Sequence, residues 1–114
     1  MTGRKGTDME ALTGWNIVRA DDAEWEPWGG HGTARAKVLG TADGYYVTLV
    51  EADTGYRGDP HEHTNAEFFY LLDGTVRTQG QVITAGDGYA AAARSTHNDF
   101  VVESAARYLI IFRL

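Results

Sequence analysis

From Ala36 onward the chain alternates short apolar, β-branched runs with glycine-bearing turns, and this alternation limits the fold more than any other feature. The runs are Ala36–Leu39, Tyr45–Glu51, Glu67–Leu72, Val82–Thr84, Tyr89–Ala93, Phe100–Glu103 and Arg107–Arg113. Their aromatic and β-branched content is that of strands. Between them lie Thr41-Ala42-Asp43-Gly44, a loop over 53–60, Asp73-Gly74, and Ala85-Gly86-Asp87-Gly88. Asp73-Gly74 has the composition of a two-residue hairpin turn. No helical periodicity longer than two turns is present. Many short strands at even spacing with glycine turns predict an all-β, antiparallel sandwich or barrel.

The 114 residues suffice for one domain. Residues 1–14 are polar and Gly/Thr-rich, so a flexible N-terminal tail is expected there, with the barrel over residues 15–114. A short strand is expected near Asn16–Arg19, then a helical turn at Asp21–Trp25 capped by Asp21 or Asp22. Trp15, Trp25 and Trp28 crowd this segment, and core filling is the simplest use for them. The chain has no cysteine, so disulfides, thiolate metal sites and a cysteine nucleophile are excluded. A net charge of −6 without a basic patch argues against nucleic acid as a partner. Neither a polybasic membrane-surface segment nor an apolar run of signal-peptide length is seen, so no membrane partner and a cytoplasmic location are expected.

One stretch carries chemistry: Gly55-Tyr-Arg-Gly-Asp-Pro-His61-Glu-His63-Thr-Asn-Ala-Glu67-Phe-Phe-Tyr-Leu-Leu-Asp-Gly74. Residues two apart in a strand share a face, so His61 and His63 project together and Glu62 points away. Glu67 shares its face with Phe69 and Leu71. If that face is interior, a carboxylate lies among apolar groups, which is costly unless it is paired or binds a metal. A lone H-x-H more often sits on a solvated loop, so the pair alone decides little.

The flanking spacing is similar to the first motif of the cupin superfamily: glycine, five residues, H-x-H, three or four residues, glutamate, six residues, glycine. Gly55, His61, His63, Glu67 and Gly74 match it throughout. The second cupin motif supplies one more histidine after a strand that begins Gly-Asp. Gly86-Asp87-Gly88 precedes His97, so the resemblance makes His97 the fourth ligand. Ala92 and Arg94 replace the proline and glycine of that motif, and Val101 its later asparagine. More loosely, the layout with Trp25-Glu26-Pro27-Trp28 ahead of the strands resembles two kinds of small cupin. These are dioxygenases of hydroxyaryl ketones or β-diketones, and the zinc-binding domain of certain anti-sigma factors.

The resemblance implies a jelly-roll barrel, one divalent metal on His61, His63, Glu67 and His97, and a homodimer. Nitrogen and oxygen donors suit Fe(II), Mn(II), Zn(II), Ni(II) or Co(II). The expected function is a metal-dependent enzyme, foremost a dioxygenase, on a small oxygenated substrate such as a dicarbonyl, hydroxyaryl ketone or polyketide-like molecule. A redox-neutral isomerase, cyclase or decarboxylase is the next reading, and a non-catalytic zinc sensor the third. Tyr56 and Arg57, before His61, are candidates for substrate contact. Arg94 and Asn98 are candidates to orient His97, because metal-bound imidazoles need a partner on the other nitrogen. Tyr45, Tyr46 and Tyr70 are expected in packing or an interface, His31 in a loop, and Glu51 and Glu103 at solvated strand ends.

Overall fold

A computed structural model describes residues 13–114. The tail expected over 1–14 therefore lies, for residues 1–12, outside the described residues. In chain order the strands are β1 (Glu26–Pro27), β2 (Ala34–Ala42), β3 (Tyr45–Ala52), β4 (His61–Glu62), β5 (Glu67–Thr78), β6 (Gln81–Thr84), β7 (Gly88–Ala91), β8 (Thr96–His97) and β9 (Val101–Arg113). The larger sheet runs β1-β2-β3-β9-β5-β6, with β7 also on β5, and β4 pairs with β8 in a small second sheet. Every pairing is antiparallel. The core lies inside the curved sheet, where Val50, Leu71, Val76, Val102 and Tyr108 are almost wholly buried.

Asp73-Gly74 is not a hairpin turn. It lies inside β5, where the register against β9 shifts at Leu71/Asp73, Asp73/Thr75 and Thr75/Val76. Gly74 has φ 91°, and a Cβ on it would fall 2.2 Å from the Ala105 carbonyl oxygen. The glycine that sequence composition assigns to a turn instead lets two backbones touch at a bulge. The hairpin closes five residues later at Gln79-Gly80, both at positive φ, as type I′ geometry requires. Asp43-Gly44, also both at positive φ, closes β2 onto β3 at the expected place.

This bulge positions the site. A straight strand of 12 residues would run about 36 Å at roughly 3.3 Å per residue. Yet Glu67 at the start of β5 and Thr78 at its end both reach the His97 ring. The bend at Gly74 brings the two ends together. β9 bends with it, and is one strand of 13 residues rather than the two expected.

The N-terminal segment also differs from expectation. Asn16–Arg19 is not a strand. The Asn16 side chain instead imitates one: its Nδ2 donates to the Thr41 carbonyl at 2.6 Å and its Oδ1 accepts from the Thr41 N–H at 2.8 Å. A 3₁₀ turn covers Ala20–Asp22, but Arg19 is its cap and makes no side-chain capping bond. Asp21 and Asp22 lie in its first turn, where carboxylates favour the N–H end. Of the three tryptophans, only Trp28 packs against the core; Trp15 is exposed, and Trp25 lies under the Lys37 ammonium. Glu51 and Glu103 are not free strand ends. Glu51 pairs with Arg35 and Arg107, and Glu103 with Arg77.

Candidate metal centre

Four side chains converge from three parts of the chain. β4 pairs with β8 so that His61 stands directly across from His97. His63 follows β4, and its backbone is held on both sides: its N–H donates to the Ser95 carbonyl, and its carbonyl accepts from the Arg94 N–H. Glu67 opens β5 and faces inward. One ligand atom from each of His61, His63, Glu67 and His97 lies within 4.8 Å of the other three. The ring centroids are 4.7 Å apart for His61 and His63, 5.4 Å for His61 and His97, and 5.2 Å for His63 and His97.

The surroundings suit these groups to hold a metal ion. Glu67 is 6% exposed and its two oxygens are divided: Oε1 is 3.1 Å from His63 Nδ1, and Oε2 accepts from the Tyr89 hydroxyl at 2.8 Å. His61 Nδ1 is 2.8 Å from the Asp59 carbonyl, and His97 Nε2 is 3.1 Å from Thr78 Oγ1. Outer partners of this kind fix the orientation of a metal-binding imidazole. Burial lowers the pKa of His97; Glu67 and Asp99 oppose that shift, while His63 and His61 add to it. The net direction keeps His97 neutral, the form in which an imidazole binds a metal. Burial, together with the Glu67 charge and hydrogen bond, pushes the Tyr89 hydroxyl upward, so it stays a donor. Three imidazoles and a buried carboxylate within one ion's reach fit a divalent cation by donor chemistry.

The centre opens into a cavity of about 360 Å³ that all four donors line. Its remaining wall is largely aromatic, with Trp28, Tyr56, Phe100, Tyr108 and Phe112. A second cavity of about 450 Å³, lined by Thr78, Gln81, Ile83 and Ala90, also reaches His63, Tyr89 and His97. The first is the better candidate for a substrate, because only there do all four donors meet. His61 is exposed and His63 and Glu67 are buried, so the centre is approached from the His61 side.

The other expected residues fall as follows. Tyr56 is buried in the cavity wall, whereas Arg57 is exposed and makes a backbone bridge to Val101. Arg94 touches the site through its N–H alone, and its side chain is exposed. It adopts φ 69°, the left-handed conformation for which the motif's glycine is suited. Asn98 is bonded through its N–H to Gln79 Oε1, which ties the histidine loop to the β5–β6 turn. Tyr46 stacks on Phe112, Tyr45 lies near Arg113, and Tyr70 is exposed. His31 is on an exposed loop and Glu62 is exposed. Sequence reasoning missed Thr78, Tyr89, Tyr108 and Trp28. Tyr89 stands opposite Phe69 in register, diagonal to Glu67, and that relation requires the strand pairing.

The family model of the ChrR cupin-like domain matches residues 14–113. No curated protein matches the chain in sequence. Among solved structures, Rhodobacter sphaeroides SigE in complex with the anti-sigma ChrR aligns at TM-score 0.70 and 26% identity. That alignment covers 82% of this chain and 51% of the other, so this chain spans about half the length of its counterpart. An acetylacetone dioxygenase from Acinetobacter johnsonii aligns at TM-score 0.75 and 12% identity, over 99% of this chain and 79% of the other. The polyketide cyclase RemF from Streptomyces resistomycificus aligns at TM-score 0.72 and 20% identity, over 86% and 78%.

Proposed function

This chain belongs to the ChrR cupin-like domain family, and from that premise we propose that it is a metal-dependent enzyme acting on a small oxygenated organic substrate, foremost as a dioxygenase. His61, His63, Glu67 and His97 are its ligands for one divalent ion. The observation that carries this reading is the meeting of the four donors in a cavity of about 360 Å³, within the range of small-molecule sites.

When bound, such an ion supplies Lewis-acid stabilisation of an enolate or phenolate and, if it is iron, electrons to dioxygen. Three neutral imidazoles and one carboxylate leave it a net charge near +1, which favours an anionic oxygen donor. Glu67 is kept from turning away by Tyr89, and His97 by Thr78. Phe100, Ile110 and Phe112 give the adjoining space an apolar wall that suits a flat, apolar portion of a ligand. The dioxygenase and cyclase among the structural neighbours support a substrate of dicarbonyl or polyketide type.

Anaerobic reconstitution with Fe(II), followed by oxygen uptake with β-diketones and hydroxyaryl ketones, tests the dioxygenase branch. Uptake that depends on substrate and disappears in His61→Ala is expected. No uptake across a broad panel would count against it and leave isomerisation, cyclisation or decarboxylation.

A second reading is favoured by the ChrR match itself: a non-catalytic zinc-binding module that acts on a protein partner. It requires a closed zinc site with no exchangeable water. The adjoining cavity supports the enzyme instead. A homodimer belongs to the same proposal, and the exposed Phe68, Tyr70 and Leu72 on the outer face of β5 support it. Sedimentation showing only monomer at micromolar concentration would remove it.

A further inference from the structure

Three tyrosines line the cavity beside the four donors, and they differ in how their protons are used. The Tyr89 hydroxyl donates its hydrogen bond to Glu67 Oε2. Tyr108, 1% exposed, and Tyr56, 7% exposed, have no acceptor among the described residues. Trp28 stands in the same cavity wall, and its indole N–H can only donate, so it offers neither phenol an acceptor. Asp59 lies near Tyr56, and Glu67 near Tyr108, as charges without a hydrogen bond to either hydroxyl.

These groups are firmly placed. Tyr108 packs against Phe69 at 4.8 Å and Phe100 at 5.6 Å, and Tyr56 meets Phe100 edge-on at 6.2 Å. Trp28 is held against Phe112 at 5.8 Å. Gly29, at φ 74°, keeps the space beside the Tyr56 hydroxyl free, since a Cβ there would lie 3.2 Å from it. Burial raises both hydroxyls above the ordinary tyrosine value, so both keep their protons near neutrality. Two phenol donors that line one cavity and have no hydrogen-bond acceptor among the described residues mark a place for a ligand's acceptor.

We propose that Tyr56 and Tyr108, beside Trp28 in the cavity wall, form a donor subsite for an acceptor oxygen of the substrate. The substrate is then a flat aromatic or conjugated molecule with a further carbonyl or ether oxygen, besides the oxygens that meet the metal. The identity of those other oxygens rests on the metal-centre reading above; the subsite does not. Hydrogen-bonding sites of this kind discriminate strongly against ligands that lack the matching group.

The probes are benzoylacetone and its meta- and para-acetyl derivatives, titrated calorimetrically into zinc-loaded and metal-free protein. At least one acetyl derivative is expected to bind about tenfold tighter than benzoylacetone, about 1.4 kcal/mol. The Tyr56→Phe/Tyr108→Phe double variant should lose that preference, yet keep its zinc. Each single variant should lose about threefold of the preference, which guards against a folding defect in the double. Equal binding of all probes to the parent protein, survival of the preference in the double variant, or no binding of any probe would overturn the subsite. If the protein takes up no zinc, the metal reading falls separately. The preference is then read on metal-free protein, where its absence still sinks the subsite.

Discussion

Gly74→Ala should damage both the fold and the metal centre, while Gly80→Ala should do neither to a comparable degree. The two glycines have similar backbone angles, φ 91° and φ 74°. Placing an L side chain in the left-handed region costs about 1–2 kcal/mol at either one. Their surroundings differ. Nothing lies within 4 Å of a Cβ at Gly80, whereas at Gly74 it would meet the Ala105 carbonyl oxygen at 2.2 Å and the Ala106 Cα at 2.7 Å. Relief requires β5 and β9 to separate by about 1 Å, a displacement of the kind that costs about 1–3 kcal/mol in a packed interior. The adjoining ladder bonds would weaken as well, each worth about 1 kcal/mol. The sum is about 3–6 kcal/mol for Gly74→Ala against about 1–2 kcal/mol for Gly80→Ala. For a domain of this size that is a fall in Tm of roughly 12–24 °C against roughly 4–8 °C. Thermal unfolding of both variants in chelator measures the difference, and metal titration of each at low temperature shows whether the bend is needed to bring Glu67 and Thr78 to His97. Equal Tm losses would refute the reasoning and restore Asp73-Gly74 as an open turn.

Three further outcomes follow from the site. Thr78→Val removes the oxygen beside His97 Nε2 and should weaken zinc binding by about tenfold or more, with Thr78→Ser retaining most of it, as a competitive chelator titration would measure. Arg94→Gly relieves φ 69° and should raise stability by about 1 kcal/mol in denaturant unfolding. His97 has a lowered pKa in the folded protein, so below the ordinary value of 6.5 the unfolded chain takes up a proton that the folded chain resists. Metal-free protein should therefore lose stability as pH falls through that value and gain nothing from this group above it; a His97→Gln variant should show a shallower loss over the same fall by thermal unfolding.

The barrel class was legible because strand runs and turn residues follow local chemistry, and β2, β3 and β6 lie close to where they were expected. That His61 and His63 project together was legible for the same reason, since alternation along a strand is a local rule, whereas Glu67 and His97 joined them only through the resemblance to the cupin motifs. Long-range geometry was not legible. Asp73-Gly74 has turn composition, and only the approach of Ala105 shows that the glycine serves a bulge. Asn16 pairs like a strand through its side chain, which no propensity registers. Thr78 and Tyr89 become partners of His97 and Glu67 only after β5 bends and β7 pairs with it. Tyr108 lies in a 13-residue strand whose inward phase depends on the shifts along β9.

The central claim is that His61, His63, Glu67 and His97 together hold one divalent ion. Elemental analysis of protein purified without added metal, and again after saturation and desalting, tests it most directly. About one equivalent per chain is predicted in the parent and in His31→Ala, with loss in His61→Ala and in His97→Ala. Metal-free parent protein after saturation, or full retention in both ligand variants, would contradict it.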